Sequence, residues 1–123
     1  MKSESENKKN QVLDLWCEKY DYCNVILVRC NGFKNFKSSI KLMACYDTGY
    51  REEVVEDEII DEVFINYFSL EIHKIIEDYV EENDEELSYV KDLECSIMRE
   101  YDGFEIFLTI DTPDGEDELQ VLI

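Results

Sequence analysis

Acidity in this chain is woven through its apolar segments, and that restricts what it can fold into. Residues 1–50 carry eight Lys or Arg against six Asp or Glu, whereas residues 51–123 carry four against twenty-five, and the net charge is −19. The acids interrupt runs such as Ile59 to Phe68 and Phe104 to Ile110, whose hydrophobic groups must leave water. Only elements that turn one face to a core and the other to solvent satisfy both demands. The expected result is a folded scaffold with an anionic surface. Such a surface opposes the compact state by self-repulsion, so it asks for a reason beyond solubility.

A hydrophobic content of 45%, with eight Tyr and six Phe in 123 residues, is that of one globular domain with its own core. Residues 1–10 contain no apolar side chain after Met1, which predicts a flexible N-terminus ahead of a domain over 11–123 and no signal peptide. No apolar run approaches the roughly 20 residues that span a bilayer. Cys17, Cys23, Cys30, Cys45 and Cys95 are odd in number and sit in or beside apolar segments, a pattern of buried reduced thiols. These features predict a soluble protein of the cytoplasm without membrane contact.

Val12, Leu13, Trp16, Cys17 and Tyr20 recur at helical spacing and predict a short helix over Gln11 to Tyr20. Asn24 to Cys30 and Ser38 to Tyr46 read as two strands joined through an Asn31-Gly32 turn. The longest helical pattern lies between Glu52 and Asn83, with Ile60, Val63, Phe64, Tyr67, Phe68, Ile72, Ile75, Ile76 and Tyr79 on one stripe. Unbroken from Glu56 to Glu82 it would reach on the order of 40 Å, wider than the domain, so a break near Asn66 to Ser69 is expected. Two strands meeting at Asp102-Gly103 follow, and that turn predicts Tyr101 facing Phe104, Ile97 facing Leu108 and Cys95 facing Ile110. A last strand holds Leu119, Val121 and Ile123. The fold class is α+β, a single domain in the order α-β-β-α-β-β-β, with helices packed on one face of an antiparallel sheet.

This reading sorts the acids into groups. Asp57, Glu58, Asp61 and Glu62 open the long helix, and Glu77, Asp78, Glu81, Glu82, Asp84, Glu85 and Glu86 close it. Same-sign i,i+4 pairs such as Glu77 with Glu81 are each unfavourable by roughly 0.2–0.5 kcal/mol. The expected strand register sets Glu100 against Glu105 and Glu94 against Asp111 on the face away from the core, again like against like. Asp111, Asp114, Glu116, Asp117 and Glu118 surround the last turn. A surface built only for solubility would intersperse both signs. A docking surface for a strongly basic partner would not, and duplex DNA, with about one charge per 1.7 Å of axis, is the ligand such partners are built to hold.

Catalytic and cofactor chemistry finds little purchase. His73 is the single histidine and lies off the helical stripe, so it cannot form a triad with a second His. The six- and seven-residue spacings of Cys17, Cys23 and Cys30 differ from those of zinc ligand pairs. Asp111 to Asp117 has the composition of a calcium loop without its order or its closing Glu. The four glycines are isolated, which leaves no phosphate loop. No enzyme, cofactor or metal is expected. Lys34, Lys37 and Lys41 interleave with Phe33 and Phe36 as in a strand-tracking surface, but the field of the whole molecule repels phosphate, so direct nucleic-acid binding is not expected.

In composition, and in the acidic helix and strand surfaces of residues 52–118, the chain resembles phage-encoded inhibitors of host defence, the anti-CRISPR and anti-restriction DNA mimics. That resemblance implies stoichiometric blocking in the host cytoplasm of a nuclease such as a CRISPR effector, at a DNA site such as the one that reads the protospacer-adjacent motif. Glu77, Asp78, Glu81 and Glu82, or Glu94, Glu100, Glu105 and Asp111, would stand in for phosphates. An immunity protein or antitoxin against a basic nuclease toxin uses the same physics. A protein-binding adaptor domain working through the aromatic hairpin, or through Tyr46 and Tyr50, is a third reading.

Overall fold

The computed structural model describes residues 4–30, 40–47 and 54–123. Helix α1 (Glu4–Lys19) leads into strands β1 (Val25–Cys30), β2 (Lys41–Asp47) and β3 (Val54–Ile59). Helix α2 (Glu62–Glu82), a 3-10 turn (Leu87–Tyr89) and strands β4 (Asp92–Arg99), β5 (Phe104–Thr112) and β6 (Gly115–Leu122) follow. The six strands form one antiparallel sheet in the order β3-β2-β1-β4-β5-β6. It is an α+β domain with both helices on one face. No helix among the described residues is long and apolar enough to cross a membrane.

The core follows from strand alternation. Ile26 and Val28, Leu42 and Ala44, Leu93, Cys95 and Ile97, and Phe104, Ile106, Leu108 and Ile110 all point to the helix side and are buried. Val12 and Trp16 of α1 and Phe64, Phe68, Ile72 and Ile76 of α2 close over them. Phe104 is the hub: Trp16 stacks on it at 5.7 Å and Phe68 meets it edge-on at 5.0 Å. The Trp16 indole N–H donates to the Cys23 carbonyl at 2.7 Å, so the largest core side chain is polar-satisfied.

Four expectations are corrected. Helix α1 begins at Glu4, so most of the segment expected to be flexible is helical; Glu and Lys are good helix formers and extend the helix by about two turns once Val12 and Trp16 anchor it. Residues 54–59, read as the start of the long helix, form the edge strand β3, where Val55 pairs with Tyr46 and Ile59 with Leu42. This shortens α2 to 21 residues, about 31 Å, and it runs without a break. The β4–β5 turn centres one residue earlier than expected, on Tyr101 and Asp102, with the Glu100 N–H donating to the Gly103 carbonyl at 2.9 Å. Pairing is therefore Leu93 with Ile110, Cys95 with Leu108 and Ile97 with Ile106, which keeps these core side chains on their expected face but changes their neighbours, whereas Tyr101, expected to face Phe104, is fully exposed in the turn and Arg99 takes its place.

The expected Asn31-Gly32 turn, Phe33, Lys34, Phe36 and Lys37, and Tyr50, lie outside the described residues. Of the basic hairpin only Lys41 is described, exposed at the start of β2. Cys23, Cys30 and Cys95 are buried, Cys45 is half-buried and Cys17 is exposed, and all five are free thiols. Burial pushes the Cys95 thiol up to about 12.

Candidate protein-docking surface

The C-terminal end of α2 is built to stop sharply. The Glu85 N–H donates to the Val80 carbonyl at 2.7 Å and the Asp84 N–H to the Glu81 carbonyl at 3.1 Å, with Asp84 at φ 56° in the left-handed position that such a cap uses. The last turn holds no base. Asp78, Glu81 and Glu82 thus sit at the helix end that already carries partial negative charge, where carboxylates are unfavourable.

Two tyrosines then bind this end to the β5–β6 hairpin. The Tyr79 hydroxyl, on the buried side of α2, donates to the Asp117 carboxylate, and the Tyr89 hydroxyl donates to Asp114 at 2.6 Å. Burial, with the Asp117 bond second, raises Tyr79 to about 12, and the Asp114 bond raises Tyr89. Both phenols stay protonated at neutral pH and donate to charged carboxylates. The turn itself is shaped by Thr112, whose hydroxyl donates to the Gly115 carbonyl at 2.8 Å and accepts from the Asp114 N–H at 3.2 Å.

The consequence is a single acidic pole. Tyr79 and Tyr89 bring the helix end, with its exposed Asp78, Glu81, Glu82 and Glu85, beside Asp117 and Asp114 of the hairpin, although about thirty residues separate them in sequence, while Glu116 lies on the opposite face of the sheet beside Asp111. Along the sheet the pole continues as a cross-strand row, Asp92 beside Asp111 and Asp111 beside Glu116. Between Lys74 and Arg99 the sequence supplies one base, Lys91.

Glu94 and Glu105 lie on the sheet face away from the helices, as expected, but not opposite the residues expected. Glu94 pairs with Thr109, and Glu105 lies between Met98 and Leu122 and accepts from the Gln120 amide. Glu100 is outside the strand at the turn; its hydrogen bond with Glu105 raises its carboxyl above the ordinary value. The other surprise on this face is its centre, where Met43, Leu27 and Phe107 share a cross-strand row with only Ser96 between Leu27 and Phe107. The signal was present in the sequence: Met43 and Cys45 occupy the off-core positions of β2.

The remaining predicted site residues fall elsewhere. Asp57 and Glu58 are on β3, not on a helix. Asp61 accepts from the Lys19 ammonium and from the Tyr20 hydroxyl, both at 2.8 Å, and those bonds hold its carboxyl below the usual range. It fastens α1 to the start of α2. Glu62 is exposed in the first turn of α2 and Glu77 pairs with His73 at 2.7 Å. Among the described residues no three His, Cys, Asp or Glu side chains converge on a point that could hold a metal. A 580 Å³ groove between α1 and α2 is lined by Val12, Val63, Tyr67 and Leu70, with Lys8 and Lys74 at its edge.

Set against protein families, characterised proteins and solved structures, the chain has no significant match to any of them.

Proposed function

We propose that this protein is a non-enzymatic inhibitor that docks its acidic pole on the basic nucleic-acid-binding surface of another protein, a nuclease such as a CRISPR effector, and excludes DNA from it. The observation that carries the reading is the joining of two acidic groups, from the end of α2 and from the β5–β6 hairpin, through Tyr79 to Asp117 and Tyr89 to Asp114. These bonds hold like charges together on a rigid support, where folding by itself would separate them. A preorganised anionic surface presents to a Lys/Arg array what a phosphate backbone presents, and it gains the same long-range attraction.

Affinity capture from cell lysate tests this reading, using the protein as bait beside the variant Asp78→Lys, Glu81→Lys, Glu85→Lys. The wild type should retain a nucleic-acid-binding protein that the variant loses, and retention should fall steeply as salt is raised past about 0.1 M, where the Debye length is about 10 Å. Retention of the same proteins by bait and variant would contradict the reading.

A further inference from the structure

The sheet face turned away from the helices has an apolar centre, and among the described residues no helix lies on it. Register puts Met43, Leu27, Ser96 and Phe107 in one cross-strand row and Val25, Met98, Glu105 and Leu122 in the next, so each row is apolar but for one polar residue. Met98 and Phe107 are 38% and 39% exposed and Leu122 is 73% exposed, so this face holds three of the large hydrophobic groups that the fold leaves in water. A shallow depression of 200 Å³ beside Leu27, Ser96 and Phe107 marks its middle. The rows run across strands β2 to β6, about 20 Å at the usual strand spacing.

We propose that this face docks an amphipathic, cationic α-helix of a partner protein, independently of the acidic pole. An extended segment laid on the face would leave its own backbone groups unpaired, because the strands beneath it already bond to one another; a helix satisfies its backbone internally. A helix of about 13 residues matches the length of the rows. Charge fixes the rest. Over β4 to β6 the face carries Glu105 within the second row and Glu94 and Glu118 at the rim, with no Lys or Arg, whereas over β1 and β2 the rim carries Lys41 and Arg29, the latter beside Glu94 and held by Glu56 at 3.1 Å. The occupant therefore sets Lys or Arg over the β4–β6 half. A second copy of this chain would bring the same acids and a net charge of −19 to the contact, which opposes self-association.

Three synthetic helical peptides of about 14 residues, binding the full chain in a fluorescence anisotropy titration, test the proposal. The first has a Leu face flanked by Lys, the second has Ser in place of Leu, and the third has Glu in place of Lys. The Leu/Lys peptide should bind roughly tenfold more tightly than either of the others. The advantage over the Ser peptide should vanish in the double variant Phe107→Ser, Met98→Ser, with the single variant Met98→Ser as a milder form and thermal melting as the check on folding. Equal binding of the Leu and Ser peptides would reduce the effect to net charge and overturn the proposal. A Leu preference that survives in the folded variants would place the contact elsewhere and overturn it too. So would a dimer in about 0.5 M salt, where surface repulsion is screened, that the double variant converts to monomer, because the face would then be a self-interface.

Discussion

Gly103 shows how a single residue can have a different purpose from the one its sequence context suggests. Beside Asp102 it reads as a turn glycine, chosen for positive φ, but its φ is not positive, and a Cβ there would lie 2.1 Å from the Ile123 carbonyl oxygen. That oxygen accepts from the Phe104 N–H at 2.9 Å, and the Ile123 N–H returns a bond of the same length. A side chain at 103 must push away the backbone that closes β6 onto β5, beside the Phe104 ring on which Trp16 and Phe68 rest. Gly103→Ala should destabilise the protein by about 1–3 kcal/mol, through overpacking and the loss of that bond pair. Urea unfolding measures it, and an unchanged midpoint would mean that the end of β6 is not held as described.

Between elements, the ion pair and hydrogen bond at Asp61 tie the C-terminus of α1 to the start of α2, and they make stability depend on pH. The carboxyl of Asp61 titrates below its ordinary value of 3.8 in the folded state, so its contribution is present above that pH and is lost as pH falls through the depressed value. Glu100 behaves in the opposite sense. Its folded pKa lies above 4.5, so its contribution is full below 4.5 and disappears as pH rises through the raised value. Glu100 therefore favours the folded state as pH falls through its raised value, and the loss of Asp61's contribution opposes it below 3.8. Asp61→Asn should lower the melting temperature by a few degrees at pH 7, and the deficit should shrink as pH drops below 3.8; a deficit constant across that range would show that the carboxylate charge is not the cause.

Elements were legible in the sequence where turn and period agreed. The two-period of Leu93 to Ile97 and of Phe104 to Ile110 gave both strands their correct faces, and a turn displaced by one residue altered partners without altering faces. Strand β3 was not legible, because Val54, Val55 and Ile59 are too sparse to distinguish a strand from the first turns of the helical stripe that follows. Its pairing with β2, the strand just before it, is a tertiary effect that the apolar pattern of 54–59 does not carry. The acidic groups were legible as segments but their union was not. Nothing in the spacing of Tyr79 and Asp117, or of Tyr89 and Asp114, indicates that they bond.

At the scale of the molecule the fold separates two surfaces. One end, where α2 terminates and the β5–β6 hairpin turns, is acidic and almost free of bases; the open face of the sheet is apolar at its centre and acidic over β4 to β6. Both edge strands also carry acids, Glu56 to Glu58 on β3 and Glu116 to Glu118 on β6, which discourages edge-to-edge pairing and contributes to the charge without explaining the pole. On the function proposed above, the pole serves a partner whose own ligand is a polyanion. Competition measures this most directly: the captured partner is loaded with a fluorescent DNA duplex and titrated with the protein. Release of the duplex at one equivalent, with a complex of partner and protein that contains no DNA, is the result expected from shared occupancy of one basic surface. A stable ternary complex in which partner, protein and duplex migrate together would contradict it.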